Sequence, residues 1–147
     1  MFKNILVPTD GSPLSRNAAK QAIRLAKEQS ANVVGFYVAP PYKPNVYADY
    51  VPADFITPKQ YAQRVKKAAA ARLSFIEKTA AAAGVGCTLK HAMSDFPALE
   101  IVKAAKRSRC DLICMASHGR RGFSRLLLGS ETSKVLSHTT VPVLVVR

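Results

Sequence analysis

The sequence predicts a single α/β domain, residues 1–147, built on a doubly wound, Rossmann-like parallel sheet with helices on both faces. Two patterns predict this fold class. Short apolar runs, typical of strands, alternate with longer segments whose apolar residues recur every three or four positions, as in helices. The runs are apolar at nearly every position, which is typical of parallel strands buried on both sides. A chain of 147 residues forms one domain by default and folds without disulfides or metals.

The first third of the chain is predicted to form two strands, 4–7 and 32–38, with a helix between them. Ser12 followed by Pro13 predicts the start of that helix, because a serine hydroxyl caps an N-terminus and proline suits the first turn. The helix extends to about residue 29. Its predicted apolar face consists of Leu14, Ala18, Ala22, Leu25 and Ala26.

Residues 39–57 contain four prolines and three tyrosines and are predicted to form a long surface loop. Long loops are often functional, so this one is interpreted either as a lid or as a passive connector. A second helix is predicted over 58–83 and ends at Gly84, because glycine favours the left-handed conformation of a C-cap. Strand 85–91 follows.

The elements predicted after residue 94 are shorter. Asp95 is predicted to cap a third helix, and residues 111–116 to form the fourth strand. A polar, basic loop bounded by glycines covers residues 119–129. Ser130 is predicted to cap a short last helix, and residues 141–146 to form the fifth strand.

The order of these elements brings two loops to one point of the sheet. A doubly wound sheet of five strands has its first strand at the centre, and one such order is 3-2-1-4-5. The winding reverses between the first and fourth strands, and ligands bind beyond the carboxyl ends of the strands at this switch point. Residues 8–12 and 116–122 are therefore expected to lie close together.

Gly129 and Ser130 begin the last helix, and a helix N-terminus binds anions through its free N–H groups and partial positive charge. Gly129 allows close approach of a ligand to the backbone. Asp10 supplies an acceptor suited to ribose hydroxyls. These residues predict a nucleotide site, although the sequence contains neither GxxxxGK[ST] nor GxGxxG.

The composition is strongly basic, with 22 Lys and Arg against 9 Asp and Glu and a net charge of +13. Such a charge suits an anionic partner, either nucleic acid, a membrane surface or phosphate. Seven of the cations lie within residues 103–125, three of them arginines of the loop near the phosphate site, which indicates a small-anion site. Nucleic acid is disfavoured, because the sequence lacks a helix-turn-helix, a zinc motif or an RNA-binding aromatic strand.

Other patterns exclude several kinds of site. No apolar run approaches the roughly 18 residues that span a membrane, and the first residues lack a signal-peptide pattern, so a cytoplasmic location is expected. Three cysteines without a CxxC motif predict buried free thiols. His118 is interpreted as a loop histidine that bonds backbone or stacks beside a ligand. No catalytic and no metal-binding residue is predicted.

Three segments resemble the universal stress protein family, and the resemblance covers the whole chain. They are Ala116-Ser117-His118-Gly119, followed after nine residues by Gly129-Ser130, the closing strand 141–146 and the opening segment 5–12. The resemblance implies the order 3-2-1-4-5, a homodimer and, for members with the motif Gly-x2-Gly-x9-Gly-Ser/Thr, binding of ATP. Ala116 occupies the first glycine position, where a positive φ would cost alanine about 1 kcal/mol.

The same resemblance implies residue roles. Asp10 would hold the ribose, the Val38 backbone would meet the adenine, and the carboxylate of Glu131 would point away from the phosphates or meet a metal such as Mg²⁺. The full set of implied nucleotide-binding residues is Pro8, Thr9, Asp10, Val38, Met115, Ala116, Ser117, His118, Gly119, Arg120, Gly122, Gly129, Ser130 and Glu131.

The last strand is an edge strand in this order and is apolar on both faces. Pro142 removes one donor, and pairing of the strand with its copy in a second subunit would cover the rest, which predicts a C2 dimer. The alternative is that other elements of the same chain cover the strand.

The leading interpretation is therefore an ATP-binding stress-response or signalling module, at most a slow ATPase, whose protein partners the sequence does not identify. The alternative is a nucleotide-free interaction module of the same fold, with Ala116 marking a lapsed site. A nucleic-acid binder is the third and weakest interpretation.

Overall fold

Strands and helices alternate along the whole of the described chain. The computed structural model describes residues 1–47, 49–119 and 127–147. Within these ranges the elements are β1 (Asn4–Pro8), α1 (Pro13–Gln29), β2 (Asn32–Ala39), α2 (Pro58–Ala83), β3 (Cys87–Met93), α3 (Pro97–Arg107), β4 (Leu112–Ala116), α4 (Ser130–His138) and β5 (Val143–Val146). This alternation confirms the predicted α/β class.

The five strands form one parallel sheet in the order β3-β2-β1-β4-β5. Strand β1 is central and pairs with β2 from Asn4 to Pro8 on one side and with β4 on the other. The winding reverses between β1 and β4, so the switch point lies where the sequence predicts it. The β1 and β4 loops therefore leave the same edge of the sheet side by side.

Two apolar layers cover the two faces of the sheet. On one face, α1 and α2 pack against alternate strand residues such as Ile5, Val7 and Val33. On the other face, α3 and α4 pack against the intervening residues, among them Leu6 and Ile113. Because successive strand residues point to opposite faces, each apolar strand serves both layers. The prediction of helices on both faces is confirmed.

Strands β3 and β5 differ most from their predicted bounds, each beginning two residues later, while the bounds of β1, β2 and β4 differ by one residue. Strand β3 begins two residues late, because Gly84 adopts φ 71° and the Val85 N–H donates to the Ala80 carbonyl at 2.9 Å. Val85 therefore still belongs to the helix cap. At the other end of the chain, Pro142 has no N–H and contributes only its carbonyl oxygen, which accepts from Ile113 N–H at 2.9 Å.

Two of the predicted helix caps are wrong. The N-cap of α3 is Phe96, which makes no side-chain cap bond, and Asp95 forms an ion pair with Lys43 at 3.2 Å instead. The N-cap of α4 is Gly129, so Ser130 is the first helical residue rather than the cap. The cap of α1 is confirmed, since Ser15 N–H donates to Ser12 Oγ at 3.2 Å.

The buried face of α1 begins at Ser15, not at Leu14. It comprises Ser15, Ala18, Ala19, Ala22, Ile23 and Ala26, all within one stripe of the helix. Leu14 lies about 100° away from Ser15 around the helix and is 39% exposed. Small side chains dominate the stripe and allow close packing of helix on sheet.

All three cysteines are free thiols. Cys110 and Cys114 are buried, as predicted, whereas Cys87 is only half-buried. Within the described ranges no helix is long and apolar enough to cross a membrane.

Candidate functional site

The loops that follow β1 and β4 touch each other at the switch point. A methyl group added at Gly119 would come within 2.8 Å of Asp10 Oδ2, so the backbone after β4 lies directly against the Asp10 carboxylate. A larger residue at this position would require the Asp10 carboxylate to move. The predicted meeting of residues 8–12 with residues 116–122 is thus seen for the part of the second segment that the structure describes.

Local hydrogen bonds give the loop after β1 one conformation. The N–H of Ser12 donates to Asp10 Oδ1 at 2.9 Å, and the N–H of Gly11 donates to Thr9 Oγ1 at 3.0 Å. The Thr9 and Ser15 hydroxyls are 2.9 Å apart, which ties the loop to the first turn of α1. Gly11 adopts φ 79°, a conformation that glycine reaches without steric strain.

The N-terminus of α4 is held against the end of β4. The N–H of Gly129 donates to the Ser117 carbonyl at 2.7 Å, and the Thr132 hydroxyl donates to the Ala116 carbonyl at 2.9 Å. A Cβ at Gly129 would lie 3.0 Å from Ser117 O and 3.2 Å from His118 Cα. Since Gly129 has φ −61°, glycine is required here for close packing and not for a left-handed backbone. The free N–H groups of the first helical turn therefore open at the switch point.

Strand β2 extends beyond its neighbour β1. The last rung joins Pro8 to Phe36, and the Thr9 N–H donates to the Phe36 carbonyl at 2.9 Å. Backbone groups alternate in direction along a strand, so those of Val38 point to the same side as those of Phe36. Because the last rung of β1 is at Phe36, no residue of β1 pairs with Val38, whose N–H and C=O lie on that side of β2 beside the cavity.

These features surround one cavity of about 530 Å³ at the carboxyl edge of the sheet. Of the fourteen implied nucleotide-binding residues, eleven line it: Pro8, Thr9, Asp10, Val38, Met115, Ala116, His118, Gly119, Gly129, Ser130 and Glu131. Ser117 is buried behind the wall and acts through its carbonyl. Arg120 and Gly122 lie outside the described residues.

Seven further residues line the cavity that were not predicted from the sequence to belong to the site. They are Ser15, Phe36, Tyr37, Asp95, Pro97, Ile101 and Thr132. Three of them lie at or just before the start of α3, namely Asp95, Pro97 and Ile101. In a doubly wound sheet the start of α3 lies at the same edge as the starts of α1 and α4. That topological signal was available in the sequence. No sequence signal distinguishes Phe36 and Tyr37 from other residues of a buried strand.

Ala116 fits the first glycine position of the motif without strain. It pairs with Val146 as the last residue of β4, and it is not among the described residues with positive φ. The penalty considered for a left-handed alanine therefore does not arise. Its carbonyl oxygen already accepts from Thr132, so Ala116 helps to hold α4 in place.

Of the two roles predicted for His118, a bond from its ring to the backbone is not seen among the described residues, and stacking beside a ligand stays a prediction. Its ring is buried, and Nδ1 lies 3.0 Å from the Ser117 hydroxyl. Nε2 is also buried and has no hydrogen-bond partner in the described part of the chain. No described carboxylate bonds the ring, so the orienting group of a catalytic triad is not seen beside it.

Glu131 turns its carboxylate away from the N-terminus of its own helix. Oε2 accepts from the Ala98 N–H at 3.0 Å, and Oε1 is 3.2 Å from Lys134 Nζ. The first of the two orientations implied for this side chain is therefore observed. Among the residues that the structure describes, no group of three or more His, Cys, Asp or Glu could hold a metal ion.

Several solved structures with this fold contain adenine nucleotides. A universal stress protein in complex with cAMP has a TM-score of 0.70 and 21% identity and covers 99% of this chain and 97% of its own. One from Archaeoglobus fulgidus with dAMP has a TM-score of 0.65 and 16% identity, with coverages of 99% and 98%. A universal stress protein family protein from Arabidopsis thaliana with AMP bound has a TM-score of 0.66 and 17% identity, and the match covers 98% of this chain and 90% of the other. At these identities they show the fold alone.

Similarity of sequence is closer for other proteins. Universal stress protein MJ0531 of Methanocaldococcus jannaschii is 36% identical over 147 residues, all of this chain and 83% of the relative. Universal stress protein YxiE of Bacillus subtilis is 36% identical over 151 residues, with both chains fully covered. The structure of hypothetical protein MJ0577 has a TM-score of 0.81 and 27% identity, covering 99% and 96% of the two chains.

The sequence profile of the universal stress protein family matches residues 1–147. With a match over the whole length and full-length relatives at 36% identity, the chain belongs to the universal stress protein family.

Proposed function

We propose that this chain binds ATP in the switch-point cavity and acts as a homodimeric module in a stress-response or signalling pathway. The observation that carries the proposal is the meeting of three recognition elements around one cavity. These are the open backbone edge at Val38, the carboxylate of Asp10 and the N-terminus of α4. Each suits a different part of a nucleotide, and a cavity of about 530 Å³ is in the usual range for a small ligand.

The position of each element suggests how the nucleotide lies. A backbone N–H and C=O at Val38 match the donor–acceptor edge of adenine. Asp10 accepts hydrogen bonds and suits ribose hydroxyls, while the N-terminus at Gly129 and Ser130 suits phosphate. The adenine nucleotides bound by neighbours of the same fold support this assignment.

The charge of the site suits a triphosphate that carries its own Mg²⁺. The α4 N-terminus provides partial positive charge, and the Glu131 carboxylate that would oppose phosphate is engaged with Ala98 and Lys134. Mg²⁺ retains several water ligands and is usually held together with substrate phosphates, so it needs no dedicated cage of protein ligands. We propose binding rather than rapid hydrolysis, because no carboxylate among the described residues bonds the His118 ring and orients it as a general base.

Calorimetric titration with AMP, ADP, ATP and cAMP in the presence of Mg²⁺ tests the proposal. Gly129→Ala places a methyl group 3.0 Å from the Ser117 carbonyl and should displace the α4 N-terminus, so we expect ATP affinity to fall more than tenfold. Gly86→Ala is the matched control, because its added Cβ meets only the flexible side chain of Asn32 before the amino end of β3.

Circular dichroism should show that both variants are folded. Equal ATP affinity in Gly129→Ala and wild type would rule out this site. Failure of every adenine nucleotide to bind the wild type, together with absence of nucleotide from the purified and denatured protein, would favour the nucleotide-free interaction module.

A further inference from the structure

We propose that Arg72, on helix α2, is a positioning residue of this site: its guanidinium orients the peptide that follows Asp10 and thereby the carboxylate assigned to the ribose. The inference rests on the nucleotide-binding function proposed above. No motif points to Arg72, which lies 62 residues from Asp10 in the sequence.

Arg72 reaches the cavity wall from a helix that contributes no described residue to that wall. Its Nη1 donates a hydrogen bond to the backbone carbonyl of Asp10. Its guanidinium carbon lies 6.0 Å from the centroid of the Tyr37 ring, within the range of a cation–π contact. Asp10 and Tyr37 both line the cavity, so one side chain from α2 contacts the loop after β1 and the overhang of β2.

The contact acts on the most adaptable peptide of the loop. The carbonyl that Arg72 bonds belongs to the peptide between Asp10 and Gly11, and Gly11 adopts φ 79°. Glycine has more accessible conformations than any other residue, so this peptide plane is free to rotate unless a partner holds it. The N–H of the same peptide, that of Gly11, donates to Thr9 Oγ1 at 3.0 Å, so Thr9 contacts one end of this peptide plane and Arg72 the other.

Arginine is suited to this position by its shape. The planar guanidinium donates in a fixed direction and stacks on an aromatic ring at the same time, which a lysine ammonium cannot do. None of the ion pairs between described residues involves Arg72, so the side chain is not held by a structural salt bridge in this region. The hydrogen bond and the cation–π contact described above are both with residues of the cavity wall.

The test compares ATP with 2′-deoxy-ATP and 3′-deoxy-ATP by calorimetry. Wild type should bind ATP more tightly than the analogue that lacks the ribose hydroxyl from which Asp10 accepts a hydrogen bond. Arg72→Met should weaken ATP binding about tenfold and shrink that preference, because the peptide that follows Asp10 loses one of the contacts that orient it. Asp10→Asn should shrink it as well, and the double variant should lose little more than either single variant.

Two further variants separate positioning from general effects on the fold. Arg64→Met removes an exposed arginine from the same helix, away from this cavity, and should bind all three nucleotides as wild type does. Arg72→Lys keeps the charge and the stem of the side chain and should restore part of the affinity. A merely structural role would lower the affinity for all three nucleotides by one common factor.

The outcomes are distinguishable. If wild type binds ATP and Arg72→Met keeps both the affinity and the ribose preference, the role of Arg72 is wrong and the proposed function stands. A uniform loss for all three nucleotides, or additive effects in the double variant, also overturns the positioning role. If wild type binds none of the nucleotides, the proposed function is wrong and this role falls with it.

Discussion

Cys114 lies at the centre of the molecule, in β4, with its side chain fully buried and its Sγ 3.6 Å from the Ala18 carbonyl oxygen. Burial raises the pKa of this thiol to about 12, because the thiolate loses its hydration. Burial also raises the pKa of Cys110 to about 11, with a further contribution from the nearby Asp111 charge. Both thiols therefore stay protonated in the folded protein far above neutral pH.

These shifts predict a loss of stability in alkali. In the unfolded chain the thiols ionise near 9.0, so above pH 9 the unfolded state binds fewer protons than the native state. The stabilisation that comes from keeping these thiols protonated is fully present below pH 9, and the free energy of unfolding falls as pH rises toward 12. In urea unfolding at pH 7 to 11, Cys114→Ala should show a shallower decline than wild type, by at most about 1.4 kcal/mol per pH unit.

Cys87→Ala is the control for that experiment. The Cys87 thiol is only half-buried, although its pKa is also raised by burial and by the nearby charge of Glu77. Its removal should therefore flatten the alkaline decline less than removal of Cys114 does. If the free energy of unfolding falls equally steeply with pH in wild type and in Cys114→Ala, the Cys114 thiol is not a source of the alkaline loss of stability.

Single residues of the motif have roles that the sequence predicts to different degrees. Close approach of a ligand at Gly129 stays a prediction, and the structure shows that Gly129 allows close approach of the protein's own Ser117–His118 backbone. For Ala116 the sequence left the backbone conformation open. Its place at the end of a regular strand decides that alanine is tolerated.

At the scale of elements, α3 lacks a cap of its own and takes one from α4. Phe96 makes no cap bond, while Glu131 Oε2 accepts from the Ala98 N–H at 3.0 Å. A carboxylate at a helix N-terminus also interacts favourably with the helix dipole. This single side chain thus links the starts of two helices that both border the cavity.

Removal of this cap should destabilise the fold measurably. We expect Glu131→Ala to lower the free energy of unfolding by about 1 kcal/mol, a typical value for a lost cap. Glu131→Gln keeps an acceptor and should lose less. Lys134→Ala removes only the exposed partner of Glu131 and should change stability by under about 0.5 kcal/mol. Urea unfolding of the three variants checks this ranking, and equal losses in all three would refute the cap.

The segment between β2 and α2 is anchored close to the cavity. The Tyr42 hydroxyl donates to the Ile56 carbonyl at 2.6 Å, and the Tyr61 hydroxyl donates to the Pro40 carbonyl at 2.6 Å. Lys43 pairs with Asp95, a residue of the cavity wall, although the pair is exposed and contributes little to stability. The sequence left a lid and a passive connector open, and these anchors give the segment a fixed base beside the site.

At the scale of the whole molecule, the positive charge is concentrated on one layer of helices. Helices α1 and α2 carry ten Lys and Arg against two Glu, and so supply eight of the thirteen net positive charges. The ion pairs of the described chain lie elsewhere. The basic stretch 103–125 therefore supplies less of the net positive charge than helices α1 and α2 do, and most of the charge lies on helix surfaces.

The proposed homodimer is also a property of the whole molecule. Among the described strands, β5 pairs with β4 alone and stands at the edge of the sheet, with Leu144 40% exposed. An open apolar edge favours pairing with a second copy. We propose that β5, within the predicted segment 141–146, forms this interface.

Leu144→Glu should convert the dimer into a monomer, because a charge would be buried at the centre of the interface. Leu136→Glu is the matched control, since Leu136 is 41% exposed on α4 and lies outside the predicted interface. Sedimentation velocity of wild type and both variants measures the oligomeric state. A dimer that persists in Leu144→Glu, or a wild type that is already monomeric, would exclude this interface.

The sequence by itself determined the fold class, because apolar periodicity, the Gly84 C-cap and the few ways in which alternating strands and helices can form a parallel sheet are local or topological signals. The same signals allowed the order 3-2-1-4-5 as one solution, and the resemblance to the universal stress protein family selected it and supplied cavity-wall residues such as Val38 and Glu131.

Only the tertiary structure decided which groups hold those loops in place. The bond from Arg72 to Asp10 joins residues 62 positions apart, and the cap from Glu131 to Ala98 joins residues 33 positions apart. Such contacts depend on the packing of helices against the sheet to within a few tenths of an ångström and on side-chain rotamers, neither of which a periodic pattern encodes.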